Sequence, residues 1–398
     1  MLEWVVIGGG IQGTHLALVL VEECGVPRDR LRIVDPHPLL CERWRQLAEN
    51  TGMSYLRSPA VHHLGLRSFS IDAFVRTDAG RPHRRFIPPY NRPATRLFNA
   101  HALSVIKGHA LESLHLMTRA SGLRAEGDGP ERVWHVRTPQ GDLAARRVLI
   151  AFGHTEQPRW PDWAVHLAAS ERPIRHVFDD HFRRKEIRHW EHIAVVGGGL
   201  SGATLALTLA EAGQGRVTLI TRGEIRVEQF DSDPGWLGPK LLAGFWAEHD
   251  YVKRREMVDA ARNRGTVPPD VAEDLRRALR EGRLAHVVAP EIEAMGDGPG
   301  GIALRLAGER FEAERIILAT GLEKRRPGSP WMDRVIDEHA LPVAPCGYPI
   351  LKPDLEWVPG LYAAGAFAEL ELGPSARNIA GARSAAERLV QTHKSRLA

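Results

Sequence analysis

The sequence predicts an α/β protein in which one βαβ design is used twice. Two observations predict it. A strand-length apolar run, a G-x-G-x-x-G turn and a helix-period pattern follow one another from residue 4 and again from residue 193. Each copy is then followed by an alternating hairpin and a strand ending in glycine, over 133–153 and 302–321. Together they mark two Rossmann-like dinucleotide-binding units, a reading that a single glycine turn would not carry.

Trp4-Val5-Val6-Ile7 predicts the first strand. Gly8 then makes a tight turn, Gly10 lets backbone approach a pyrophosphate, and Gly13 brings helix against strand. Ile11 and Gln12 open the helix, where unpaired N–H groups and the helix dipole favour phosphate. Leu31-Arg32-Ile33-Val34 predicts the second strand, which ends at Asp35, and Pro36-His37-Pro38 turns the chain away. A carboxylate at Asp35 accepts bonds from ribose hydroxyls and repels a 2′-phosphate, so this site suits FAD or NAD rather than NADP. Residues 39–47 predict a short helix carrying Trp44, 94–105 a longer one, and 114–117 and 133–138 strands. A further apolar strand ends at Ala151-Phe152-Gly153, and Pro158, Pro161 and Pro173 suit a crossover.

The second fingerprint is Gly197-Gly198-Gly199-Leu200-Ser201-Gly202. Its second strand, 217–220, ends in Thr221-Arg222 with no acid. Arg222 can meet a 2′-phosphate, so this site leans to NADPH rather than NADH. The closing strand of this half runs into Thr320-Gly321. Between about 231 and 283 three charged helical patterns (237–246, 252–263, 269–280) interrupt the echo, as an embellishment or as a lid or substrate wall. The C-terminal stretch has a strand ending at Gly365, a turn over 369–373 and a helix over 375–390. Such a helix can aim its N-terminus at the pyrimidine end of a flavin.

Composition excludes several classes. With 43% hydrophobic and 26% charged residues the chain has an ordinary globular balance. A net charge of +4 is small and spread out, so nucleic acid is not an expected partner. No apolar run reaches bilayer-spanning length, and the first strand starts at the N-terminus, so neither a membrane span nor a signal peptide is expected. Cys24, Cys41 and Cys346 are far apart, which excludes a redox dithiol or a zinc site and points to the reducing cytoplasm. His62, His63 and His83 have no convergent carboxylate or thiol set, so no metal is expected.

These pieces together resemble the flavoproteins with two dinucleotide-binding domains. The marks are Gly8-x-Gly10-x-x-Gly13 with Asp35, Gly197-x-Gly199-x-x-Gly202, Leu318-Ala319-Thr320-Gly321, and Gly360-Leu361-Tyr362-Ala363-Ala364-Gly365. The resemblance implies an FAD domain in two parts (1–175 and 322–398) around an NAD(P)H domain (187–321). Within that family the chain looks most like the monooxygenases that N-hydroxylate lysine or ornithine. Glu314 through Leu322 is similar to their acid-x-x-x-Leu-Ala-Thr-Gly-Tyr motif, with Leu322 in place of the tyrosine and Glu314 in place of aspartate. Ala366 stands where many members carry an aspartate, and His176 lacks the residues that precede it in a Baeyer–Villiger fingerprint. The resemblance also implies a flavin-side position for Trp44, and Arg57 and Asn378 can either face the flavin or have ordinary structural roles.

The expected activity is an FAD monooxygenase: NADPH reduces the flavin, and one oxygen atom then passes to a nucleophilic nitrogen or sulfur of a small molecule, with an amine or amino acid as the compatible substrate. The alternative is an NAD(P)H-dependent reductase passing electrons to a quinone or protein. No Ser–His–Asp or paired-carboxylate signature marks a catalytic side chain, as expected where the cofactor carries the chemistry.

Overall fold

The computed structural model describes residues 1–170, 172–188, 191–213, 215–328 and 330–397. In the first half, β1 (Leu2–Ile7) leads into α1 (Ile11–Glu22), and β2 (Leu31–Asp35) lies parallel to β1 with Ile7 opposite Val34. Then come α2 (Glu42–Asn50), α3 (Ser70–Phe74), the short ribbon β3 (Phe86–Ile87) and β4 (Arg92–Pro93), and α4 (Thr95–Gly108). The half ends with β5 (His115–Met117), β6 (Gly122–Glu126), β7 (Val133–Arg137) and β8 (Leu143–Ile150). Helix α2 starts later than the pattern predicts. Cys41 takes a left-handed φ of 58° and gives its N–H to the Gly9 carbonyl, so no helix can run through it.

The second half holds α5 (Asp162–Ala169), β9 (Ile174–His176), β10 (His192–Val196), α6 (Leu200–Glu211), β11 (Arg216–Thr221) and β12 (Arg226–Val227). It continues with α7 (Pro239–Ala247), α8 (Tyr251–Ala260), β13 (Thr266–Val267), α9 (Pro269–Arg280) and β14 (Ala285–Val288). It ends with the meander β15 (Ile292–Gly298), β16 (Gly301–Leu306) and β17 (Glu309–Ala313), and then β18 (Arg315–Leu318). The C-terminal stretch adds α10 (Trp331–Glu338), β19 (Glu356–Val358), β20 (Leu361–Ala363), α11 (Glu369–Leu372) and α12 (Ile379–Leu397).

Among the described residues, the first sheet has the order β19-β20-β8-β1-β2-β5 with the β6–β7 hairpin on β8, and the second has the order β14-β11-β10-β18-β9. β1 and β10 are central and parallel to both neighbours. A strand covered on both faces must be apolar throughout, which is why Val5-Val6-Ile7 and Ile193-Ala194-Val195-Val196 show no alternation. In β10, Ile193 and Val195 join one core with α6 and α9, whereas Ala194 and Val196 join another with α5 and the meander. Helix α1 is buried from Gly13 through Leu20, because the sheet covers one side and α12 packs on the helix from elsewhere.

The structure corrects several expected boundaries. Helix α9 is not part of an insertion. It carries the chain from β13 towards β14, the parallel neighbour of β11, and buries Ala272, Leu275 and Ala278 against α6. Its outward charges, such as Glu273 and Arg280, gave it the look of a surface addition. The inserted piece is α7 and α8, which pack against α11 and the turn before α12. β9 is hydrogen-bonded to β18, so the second sheet already begins before residue 175. Residues 369–372 are the short helix α11 rather than a turn, and α12 starts at Ile379 because Pro374–Arg377 is a separate 3-10 turn. No helix among the described residues is long and apolar enough to cross a membrane.

Candidate functional site

The ends of β1, β2, β8 and β20 converge on the first glycine turn. Gly8 has φ +111°, and a Cβ there would stand 2.8 Å from the Phe152 Cα, so the turn rests on Ala151-Phe152-Gly153 at the end of β8. A Cβ on Gly13 would come within 1.7 Å of the Gly8 carbonyl oxygen. The fold itself forbids side chains at both positions. Gly10 differs: its backbone is ordinary extended chain, and no atom lies within 4 Å of where its Cβ would be. No side chain caps α1 there, so the first-turn N–H groups at Ile11 and Gln12 face a gap.

Asp35 flanks that gap. Its Oδ2 accepts the Gly9 N–H at 2.7 Å, and its Oδ1 accepts the His37 N–H at 2.9 Å and pairs with the His37 ring at 2.8 Å, so the chain doubles back around Pro36. Burial pushes this carboxyl upward, but the bonds from His37 and Gly9 outweigh it and hold the group below the usual carboxylate range. A carboxylate has about four lone-pair positions, so capacity remains for a ligand hydroxyl.

The C-terminal stretch closes the same gap. The Gln12 side-chain amide donates to the carbonyls of Ala376 at 3.0 Å and Asn378 at 2.7 Å. Gly365 has φ +62°, and a Cβ there would touch Gln12 Cγ at 3.5 Å. Ala366, next to it, is buried. The Asn378 side chain donates to Asp231 Oδ1 at 3.3 Å, which brings the loop ahead of α7 to this edge. Trp44 is not brought to the turn. Its indole N–H donates to Asn99 at 3.0 Å and its ring meets Phe98 edge-on, so it is packing between α2 and α4.

The second turn repeats the first in its tight places. A Cβ on Gly197 would lie 2.3 Å from the Ala319 carbonyl oxygen, and one on Gly202 would lie 2.0 Å from that of Gly197. Leu200 and Ser201 open α6. Thr221 holds the place of Asp35: a Cβ on Gly9 would meet the Asp35 Cβ at 3.0 Å, and one on Gly198 would meet Thr221 Cγ2 at 3.1 Å. Arg222 follows and is exposed. Thr320 is already engaged, its hydroxyl donating to the Arg159 carbonyl at 2.5 Å while Gly321 accepts the Arg159 N–H at 3.0 Å. Glu314 has a similar structural role: it accepts the His192 N–H at 2.7 Å and so fixes the start of β10. His176 is fully buried in β9, and burial lowers its ring to about 4.

The structure adds residues that the sequence reading missed. Glu369 on α11 is fully buried and pairs with Arg377 (2.5 Å), Arg255 (3.1 Å) and Arg262 (3.3 Å). Two of these arginines come from the α8 region, so this one carboxylate pins the inserted helices to the closing segment. Their seven-residue spacing was the available signal, since a helix over 252–263 would set both on one face, although α8 ends at Ala260 and Arg262 lies just beyond it. Arg57, by contrast, was already a candidate in the sequence: it donates to the carbonyls of Glu228, Gln229 and Phe230 and to the Thr266 hydroxyl, binding the first half to the second.

The family model for pyridine nucleotide-disulphide oxidoreductases matches residues 2–235, more than half of the chain. The chain belongs to that family. Among solved structures, the reduced form of an ornithine hydroxylase from Pseudomonas aeruginosa is 18% identical, with 100% of each chain covered and a TM-score of 0.76. An ornithine N-hydroxylase from a Kutzneria species, solved with reduced FAD, NADP+ and L-ornithine, is 18% identical over 100% of each chain, with a TM-score of 0.74. An L-lysine 6-monooxygenase from Pseudomonas syringae is 17% identical over 100% of each chain, with a TM-score of 0.70. At these identities the likeness is one of fold. No curated protein sequence matches the chain.

Cys24, Cys41 and Cys346 are all free thiols. Burial raises Cys24 to about 11 and Cys41 to about 12, far from the low values of reactive thiolates.

Proposed function

We propose that this oxidoreductase is an FAD-dependent, NADPH-using monooxygenase that hydroxylates the nitrogen of a small amine or amino acid. The observation that carries the reading is the first glycine turn. Gly10 faces open space, Asp35 is held ionised beside it, and the far end of the chain closes over it through Gln12 and Asn378. That cradle fits a dinucleotide held for good rather than one in exchange. The second turn has Thr221 and Arg222 where an acid would repel a 2′-phosphate, which fits NADPH as the exchanging partner.

FAD would be held at the first site by the α1 N–H groups, Asp35 and the closing segment tied to Gln12, and would supply the redox chemistry between NADPH and dioxygen. One oxygen atom enters an N–H bond of the amine. The other leaves as water, taking up the hydride of NADPH (two electrons and a proton) and one further proton from solvent. The work of the chain is to hold and to exclude. The α1 N–H groups and Asp35 anchor the nucleotide, the α12 N-terminus faces its closed side, and α7 and α8 wall off the junction through the Glu369 cluster. The solved hydroxylases named above share this whole architecture, and the amine class is taken from their substrates.

The test is to supply L-ornithine, L-lysine and short diamines to FAD-loaded protein and to measure NADPH oxidation, peroxide release and hydroxylamine product. One of them is expected to speed NADPH oxidation while suppressing peroxide. Turnover that ignores every amine yet runs fast on quinones would replace this reading with the reductase.

A pH prediction arises from Asp35. Its folded pKa is lowered, so its contribution is present above the ordinary carboxylate value of about 4 and is lost as pH falls through the lowered folded value. Flavin retention, followed by ultrafiltration and visible absorbance, is expected to hold down to about that pH and to fail below it, and Asp35→Asn protein is expected to leak flavin already at pH 7.

A further inference from the structure

The two glycine turns of this chain differ at one point. Where Gly10 faces open space, the matching Gly199 faces another stretch of backbone: a Cβ on Gly199 would stand 3.4 Å from the Gly265 Cα. Gly265 has φ +68° and belongs to the loop that follows α8. The loop is firmly held. Asn263 takes the Asp231 carbonyl through its N–H at 2.8 Å and the Phe230 carbonyl through its side chain at 3.0 Å, and the Thr266 hydroxyl donates to the Asn263 carbonyl at 2.6 Å. β12 and β13 pair in parallel behind it. The second nucleotide site therefore has a fixed lip that the first site lacks.

That lip is cationic. Arg264 precedes Gly265, and its exposed guanidinium is held from behind by Asp259 at 2.6 Å. Arg226 on β12 is exposed and donates to the Arg264 carbonyl, and its Nη2 lies 3.9 Å from where a Gly265 Cβ would be. Among the described residues no carboxylate pairs with Arg226. Arg222, four residues earlier, is exposed at the end of β11. Glu224 and Glu228 are the exposed acids of the same stretch, and no ion pair with the three arginines neutralises them there among the described residues.

Resting on the reading that this turn takes NADPH, we propose that Arg226 and Arg264 are phosphate ligands of the dinucleotide, forming the wall of the second site opposite the α6 N-terminus. A phosphate lying between a helix N-terminus and a guanidinium pair receives charge-assisted bonds from both sides. Gly265 is then required because a side chain there would fill the gap through which the phosphates pass. Arg226 sits on the paired ribbon and Arg264 just before it, and the bond from Arg226 to the Arg264 carbonyl fixes their spacing.

The experiment is calorimetric titration of FAD-loaded wild-type, Arg226→Ala and Arg264→Ala protein with NADPH, NADH and 2′-AMP. Each variant is expected to bind NADPH about tenfold more weakly, the loss of roughly one charge-assisted hydrogen bond. Arg226→Lys and Arg264→Lys keep the charge and are expected to recover part of the loss, with unchanged thermal melts showing that the fold is intact. A loss seen with 2′-AMP and not with NADH assigns the 2′-phosphate. A loss seen with NADH and not with 2′-AMP assigns the pyrophosphate. Unchanged affinity for all three ligands in both alanine variants overturns the proposal while leaving the NADPH reading in place. Wild-type protein that binds neither NADPH nor NADH removes that reading, and the proposal with it.

Discussion

Replacing Glu369 with glutamine is expected to destabilise the protein by roughly 3–5 kcal/mol, the usual cost of breaking a buried ion pair from one side. Glu369 is fully buried, and its two oxygens meet Arg377, Arg255 and Arg262. Burial pushes this carboxyl upward, yet the three guanidiniums outweigh that, so the group stays below the ordinary carboxylate range. Glutamine is nearly isosteric but cannot neutralise them. It leaves three largely buried guanidiniums without their counter-charge, and they repel one another. The sign with pH follows from the lowered value: this stabilisation is present above the ordinary carboxylate range and is lost as pH falls through the folded pKa. Urea unfolding of wild type and variant at pH 7 measures the loss. The double variant Glu369→Gln, Arg377→Met is expected to recover part of it, because one stranded charge is removed. A single-variant loss under about 1 kcal/mol, the range of exposed pairs, would refute the role assigned to this cluster.

Gly10→Val is expected to yield folded but colourless protein, and Gly199→Val yellow protein that NADPH no longer reduces. The first variant is informative because the chain itself has room for valine: backbone at Gly10 is ordinary, and nothing lies within 4 Å of the new Cβ. Unchanged circular dichroism with no visible absorbance would therefore report loss of the ligand and not of the fold. Gly13 would be a poor choice for the same test, since its Cβ would strike the Gly8 carbonyl at 1.7 Å. At Gly199 the Gly265 Cα stands at 3.4 Å, so valine closes the passage at the lip without touching the first site. Anaerobic addition of NADPH, read at the flavin absorbance maximum, separates the two. Yellow Gly10→Val protein would sink the assignment of the first site.

The sequence made the two sheets legible because a central parallel strand leaves a plain trace. It is apolar at every position, and a glycine turn must follow it if a helix is to start at once. Asp35, Thr221 and Arg222 were legible for the same reason, being a fixed distance from that turn. For Trp44 only the helix was legible, because a helix of expected length does not say which neighbours its side chain meets; the structure places Asn99 and Phe98 against the indole. Helix α9 was misassigned because its outward charges hid the inward Ala272, Leu275 and Ala278, and small residues carry a weak periodic signal.

By itself, then, the order of residues determined the doubled βαβ design and the two glycine turns, both of which rest on contacts close along the chain. Tertiary structure alone decided that Gln12 is tied to Asn378, that Glu369 gathers Arg255 of α8 and Arg262 just after it, and that Gly265 stands over Gly199. These partners are tens to hundreds of residues apart. Nothing in local propensity or periodicity ranks one distant partner over another; burial and charge choose among them only when the sheets have packed.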